Sequence, residues 1–100
     1  MEEKPNIERK IKKSEVVELL KARGIDNLEV KKFFMDWTLQ RERETDKGTP
    51  RDRIIFNVER AEVYLAIGDN EEFLNALDDA LRQALQHNEA DLYNQIIKMY

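Results

Sequence analysis

The sequence predicts an all-α protein, with four or five helices in antiparallel hairpins packed as a small bundle or a repeat-like array. Three observations point there. Charged residues make up 38% of the 100 residues while Gly and Pro number only 3 and 2, a composition suited to long solvated helices rather than a turn-rich β fold. Apolar residues recur at spacings of three and four, the period of a helix face. Cap-forming residues stand between the periodic segments at intervals typical of short inter-helix loops. A length of 100 residues and a hydrophobic share of 41% suit one domain with a compact core.

The first 13 residues read as a basic, partly ordered arm, and residues 14–100 as a single helical domain. Ser14 is the expected N-cap of a first helix from Glu15 to Arg23, with Val16, Leu19 and Leu20 facing inward and Gly24 ending it. Asp26 and Glu29 have the spacing of a capping box, with Ile25 and Val30 as its hydrophobic staple. They open a second helix running to about Glu44. Its main stripe is Val30, Phe33, Phe34 and Trp37, and a second one, Leu28, Met35 and Leu39, lies on the opposite side.

Thr45-Asp46-Lys47-Gly48 reads as a loop. Thr49, Pro50 and Asp52 then supply the N-cap, N1 and N3 residues of a third helix. It too has two apolar faces: Ile54, Val58, Ala61 and Leu65 on one side, Phe56, Val63 and Ile67 on the other. Gly68 stops it, and Asp69 with Glu72 caps a fourth helix whose broad stripe is Phe73, Leu74, Leu77, Ala80, Leu81, Ala84 and Leu85. A break near His87-Asn88 is favoured, with Asn88 capping a short fifth helix that carries Leu92, Ile96 and Met99. Val30, Phe33, Phe34, Trp37, Ile54, Val58, Ala61, Leu65, Phe73, Leu77, Ala80 and Leu81 are expected to be buried together.

The segment 54–87 carries Ala61, Tyr64, Gly68-Asp69, Leu77 and Ala80 at spacings that resemble a single tetratricopeptide hairpin. The resemblance covers about a third of the chain. It departs from the pattern at Asn57, Arg60, Phe73 and Leu85, and no second copy is present. It implies a helical hairpin and a protein-binding surface.

The charge is uneven. Residues 1–53 carry 14 Lys/Arg against 12 Asp/Glu, and residues 54–100 carry 3 against 9. The basic stretch Arg9-Lys10-Ile11-Lys12-Lys13 is a solvated arm, or a contact for phosphates or an acidic surface. Residues 14–40 have the outline of a helix-turn-helix, with Leu19, Gly24, Ile25, Val30 and Phe33 at its core and turn positions. Asn27, Lys31 and Lys32 would face nucleic acid in that reading. An acidic whole, with a net charge of −4, weighs against it.

Catalysis is not expected. The chain has no cysteine and a single histidine, His87, which reads as polar cover at a helix end. No phosphate-binding glycine loop, calcium loop or flanked nucleophilic serine is present. No cofactor and no metal are therefore expected. The charged N-terminus lacks the apolar run of a signal peptide, and no run is long enough to span a bilayer, which makes the cytoplasm the expected location. The favoured function is a non-enzymatic protein–protein interaction or assembly module, an adaptor or oligomer, with a homodimer among the options. Apolar groups on both sides of two helices imply either that helices two and three are sandwiched centrally by the others or that the second stripes pack on another chain; on the latter reading the expected contact residues are Leu28, Met35, Leu39, Phe56, Val63 and Ile67. The runner-up is a small DNA-binding regulator.

Overall fold

The computed structural model describes residues 10–100. Five helices follow one another: α1 (Lys13–Arg23), α2 (Leu28–Asp46), α3 (Pro50–Ala66), α4 (Asn70–Gln86) and α5 (Ala90–Ile97). The all-α expectation holds, with no strand among the described residues. None of the described helices is long and apolar enough to cross a membrane.

Local signals fix most helix ends. The Thr49 side chain accepts from the Asp52 amide while Asp52 accepts from the Thr49 amide at 2.9 Å, and Pro50 takes the first turn, so the expected box forms. Asp69 accepts the Glu72 amide at 3.2 Å. Gly68, at φ +80°, takes the left-handed backbone that a Cβ disfavours. The break before α5 is also present.

Three caps differ from the sequence reading. Ser14 lies inside α1, whose start is fastened by the Lys12 amide donating to the Glu15 carboxylate at 2.9 Å. Asn27, not Asp26, caps α2, its Oδ1 accepting from the Glu29 and Val30 amides at 2.9 and 3.1 Å. One residue closer, it reaches both second- and third-position donors, and Ile25 stays exposed rather than serving as a staple. Asn88 sits just outside α5 at φ 56°, and Glu89 takes the N-cap position. An asparagine tolerates the left-handed region better than other non-glycine residues, so Asn88 makes the reversal rather than the cap.

The apolar residues form two cores rather than one. Ile54, Val58 and Ala61 of α3 pack with Phe73, Ala76, Leu77, Ala80 and Ala84 of α4 and with Leu92 and Ile96 of α5. Phe56 and Val63, on the other side of α3, pack with Val16 and Leu20 of α1, Val30 and Trp37 of α2, and Ile11. The twelve residues expected in a single core are thus divided by α3, and Leu65 is exposed. Four small residues, Ala61, Ala76, Ala80 and Ala84, are almost fully buried; such side chains let helix axes approach closely. Leu74 and Leu85 on the flanks of α4 remain exposed, so its buried face is narrower than its apolar stripe.

Candidate functional site

The two second stripes have opposite fates. Phe56 and Val63 are buried, at 4% and 0% exposure, and Ile67 is partly buried against the same core. Phe56 and Val63 are covered by α1 and α2 of their own chain, which corrects their assignment as contact residues, and Ile67 is covered in part. Leu28, Met35 and Leu39 are exposed at 79%, 63% and 45%. At 100° per residue they fall within a narrow line along α2, opposite the line of Val30 and Trp37.

The buried stripe shows what this chain uses to cover such a surface. Phe56 and Val63 are separated by Glu59 and Arg60, at the i+3 and i+4 positions between them. Helix α2 lays Trp37 against Phe56, with ring centroids 5.9 Å apart and planes at 65°. One turn on, the Arg41 Nε donates to Glu59 at 2.9 Å, and its guanidinium lies 5.9 Å from the Phe56 ring centre. Arg60 reaches the same ring and donates to Asn57 at 3.1 Å. Burial lowers the Arg41 pKa, but Glu44 and Glu59 outweigh it and raise it overall. An apolar anchor and a complementary charge, one helical turn apart, close the stripe.

The outer face of α2 repeats the spacing of that stripe. Lys31 and Lys32 stand at i+3 and i+4 between Leu28 and Met35. Both are exposed, and neither forms an ion pair with a described carboxylate. Beside this ridge a groove of about 330 Å³ runs between α1 and α2, with Leu19, Val30 and Phe33 in it and Arg23, Glu29, Lys32 and Asp36 around it. The sequence reading did not anticipate this groove, which arises only when α1 crosses the flank of α2.

The residues assigned to nucleic acid are split. Lys31 and Lys32 are exposed on α2, whereas the Asn27 carbonyl is used in capping. The basic N-terminal stretch is partly engaged. Lys10 pairs with Glu44 at 3.2 Å and Lys13 with Glu62 at 2.7 Å. Ile11 is buried, and its amide donates to Gln40 at 2.9 Å. Arg9 lies outside the described residues.

A second groove, of about 320 Å³, lies between the end of α2 and α4 over α3. It holds Arg53, Arg60 and Arg82 together with Glu42, Asp46 and Asp79. Arg53 pairs with Asp46 at 2.9 Å and Arg82 with Asp79 at 3.3 Å. The buried Asn57 donates to Gln83 at 2.8 Å. Arg53, Arg82 and Asn57 are thus paired within the chain, which marks a polar seam between helices. Its sequence signal is the i, i+4, i+7 set Arg53, Asn57 and Arg60 lying between two apolar faces of one helix. His87 is exposed and ends α4.

Compared with protein-family models, curated proteins and solved structures, the chain matches none.

Proposed function

We propose that this chain is a non-enzymatic protein–protein interaction module that binds through the outer face of α2. The observation that carries the reading is the exposure of Leu28, Met35 and Leu39 in one line opposite the buried face. Single exposed leucines are ordinary, but three large apolar groups in line on one helix form a surface for another helix. Burying each is worth about 1.5–3 kcal/mol. The adjoining α1–α2 groove enlarges the site. The tetratricopeptide-like hairpin at 54–87 supports the same class of role: Ala61 and Ala80 are fully buried between α3 and α4, and Gly68 makes the reversal. An adaptor or assembly role in the cytoplasm fits these features.

The alternative, a small DNA-binding regulator, has less support. Lys31 and Lys32 would have to seat apolar Leu28, Met35 and Leu39 against a charged, hydrated groove, and Asp36 and Glu42 lie on the same side of the helix.

The test is the pair Leu28→Asp and Met35→Asp in the full chain. Both positions are exposed, so the melting temperature should stay close to wild type. Partners captured by the wild type from its native lysate should be lost from the double variant, and any self-association seen by light scattering should disappear. An identical set of partners and an identical mass for both proteins would overturn the reading. Steeply salt-dependent binding of duplex DNA, abolished by Lys31→Glu with Lys32→Glu, would favour the alternative instead.

A further inference from the structure

Resting on the reading of α2 as a docking face, the chemistry of that face specifies its partner. We infer that the occupant is an acidic amphipathic helix of another protein, with apolar side chains over Leu28, Met35 and Leu39 and carboxylates against Lys31 and Lys32. Charge complementarity is the first argument. The two positions between Leu28 and Met35 on this face are both lysine, and each is exposed without a described carboxylate partner. Lys32 also reaches the rim of the neighbouring groove, where Arg23 is paired with Glu29 at 3.6 Å.

The second argument comes from within the chain. The stripe Phe56-Glu59-Arg60-Val63 has the same spacing as Leu28-Lys31-Lys32-Met35. It is closed by a helix carrying an apolar anchor, Trp37, and a counter-charge four residues later, Arg41, on Glu59. With two lysines in place of Glu59 and Arg60, the matching helix needs carboxylates.

A second copy of α2 does not meet that need. In a parallel pair Lys32 would oppose itself in the middle of the seam, and Glu42 would do the same further along. In an antiparallel pair that sets Leu28 against Leu39, each Met35 would face a Lys32. Either seam places a charged head where an apolar contact is needed, and the like charges opposed in the parallel pair are destabilising.

A displayed library of helical peptides tests the inference directly. The peptides hold a fixed apolar stripe and are randomised at the flanking positions, and the bait is the full chain. Wild type should select Asp and Glu at the flanks, with binding that weakens as salt rises. Lys31→Glu with Lys32→Glu should weaken those peptides roughly tenfold and shift selection to Lys and Arg. Leu28→Asp with Met35→Asp should lose them. Neutral or basic flanks on wild type, in peptides that still require Leu28 and Met35, would overturn the acidic partner and leave the docking face standing. Selected peptides indifferent to Leu28 and Met35 would overturn the docking face itself. If no peptide is selected but phosphatidylserine vesicles bind wild type and not Leu28→Asp with Met35→Asp, the face belongs to an anionic membrane surface and the inference fails.

Discussion

Replacing Trp37 with alanine tests the two-core architecture. Its side chain is 1% exposed. It stacks on Phe34, with centroids 6.0 Å apart and planes at 27°, and meets Phe56 edge-on at 5.9 Å. Truncating a packed aromatic costs about 3–5 kcal/mol, of which each ring pair supplies roughly 0.5–1.5 kcal/mol. Total stability for a domain of this size is about 5–15 kcal/mol, so Trp37→Ala should leave a marginal fold. The loss should also be unevenly placed. Trp37 belongs to the core formed by α1, α2 and one side of α3, whereas Leu77 and Ile96 belong to the other. Urea unfolding followed by circular dichroism should show a large fall in midpoint. Native-state hydrogen exchange should show amides of α1 and α2 losing more protection than those of α4. Equal loss in α4 would mean that the cores unfold as one unit, and an unchanged midpoint would mean that Trp37 is not packed.

Three further outcomes follow from single contacts. Gly68→Ala should destabilise by about 1 kcal/mol through its positive φ, although an added Cβ would meet nothing within 4 Å; a stabilised variant would contradict the turn. Asn88→Val should cost about 1–2 kcal/mol at φ 56° while Asn88→Gly is neutral or stabilising, and thermal melts of the two would separate the reversal from a continuous helix. The Arg51 guanidinium donates to Asp91 at 2.6 and 3.0 Å and to Glu89 at 2.7 Å, and it holds the Asp91 carboxyl down at about 2. Because that pKa is depressed on folding, the contact is present above the ordinary carboxyl value and lost as pH falls through about 2. A carboxyl titration by NMR should return Asp91 to near 3.8 in Arg51→Gln, and an unmoved titration would refute the pairing.

The fold was legible where the signal was local. Thr49, Pro50 and Asp52 act within one turn, and so do Asp69 with Glu72; Gly68 needs only its own backbone. The start of α2 was misplaced by one residue because Asp26 and Asn27 can both cap, and only three-dimensional reach to the Glu29 and Val30 amides separates them. The division into two cores was not legible. Periodicity gives the faces of α3 but not which neighbours cover them, and Leu65 fits the spacing of Ile54, Val58 and Ala61 while lying beyond the reach of α4.

The candidate site poses the sharper case, because two stripes of the same spacing end in different places. Charge at the intervening positions alone does not separate them, since Phe56 and Val63 enclose Glu59 and Arg60 just as Leu28 and Met35 enclose Lys31 and Lys32. What separates them is consumption. Glu59 is taken by Arg41, and Arg60 by Asn57 and the Phe56 ring, all within the chain. Two lysines side by side require negative charge from outside their own turn. On α2 Asp36 and Glu42 lie on the same side of the helix but form no ion pair with either lysine among the described residues, and Glu29 is drawn to Arg23 at 3.6 Å. The buried stripe has its counter-charge from α2, and the exposed one has none paired to it among the described residues. That imbalance was present in the sequence as Lys31-Lys32 inside an apolar stripe. It became readable as a partner's chemistry only once the structure showed how the same spacing is closed on α3.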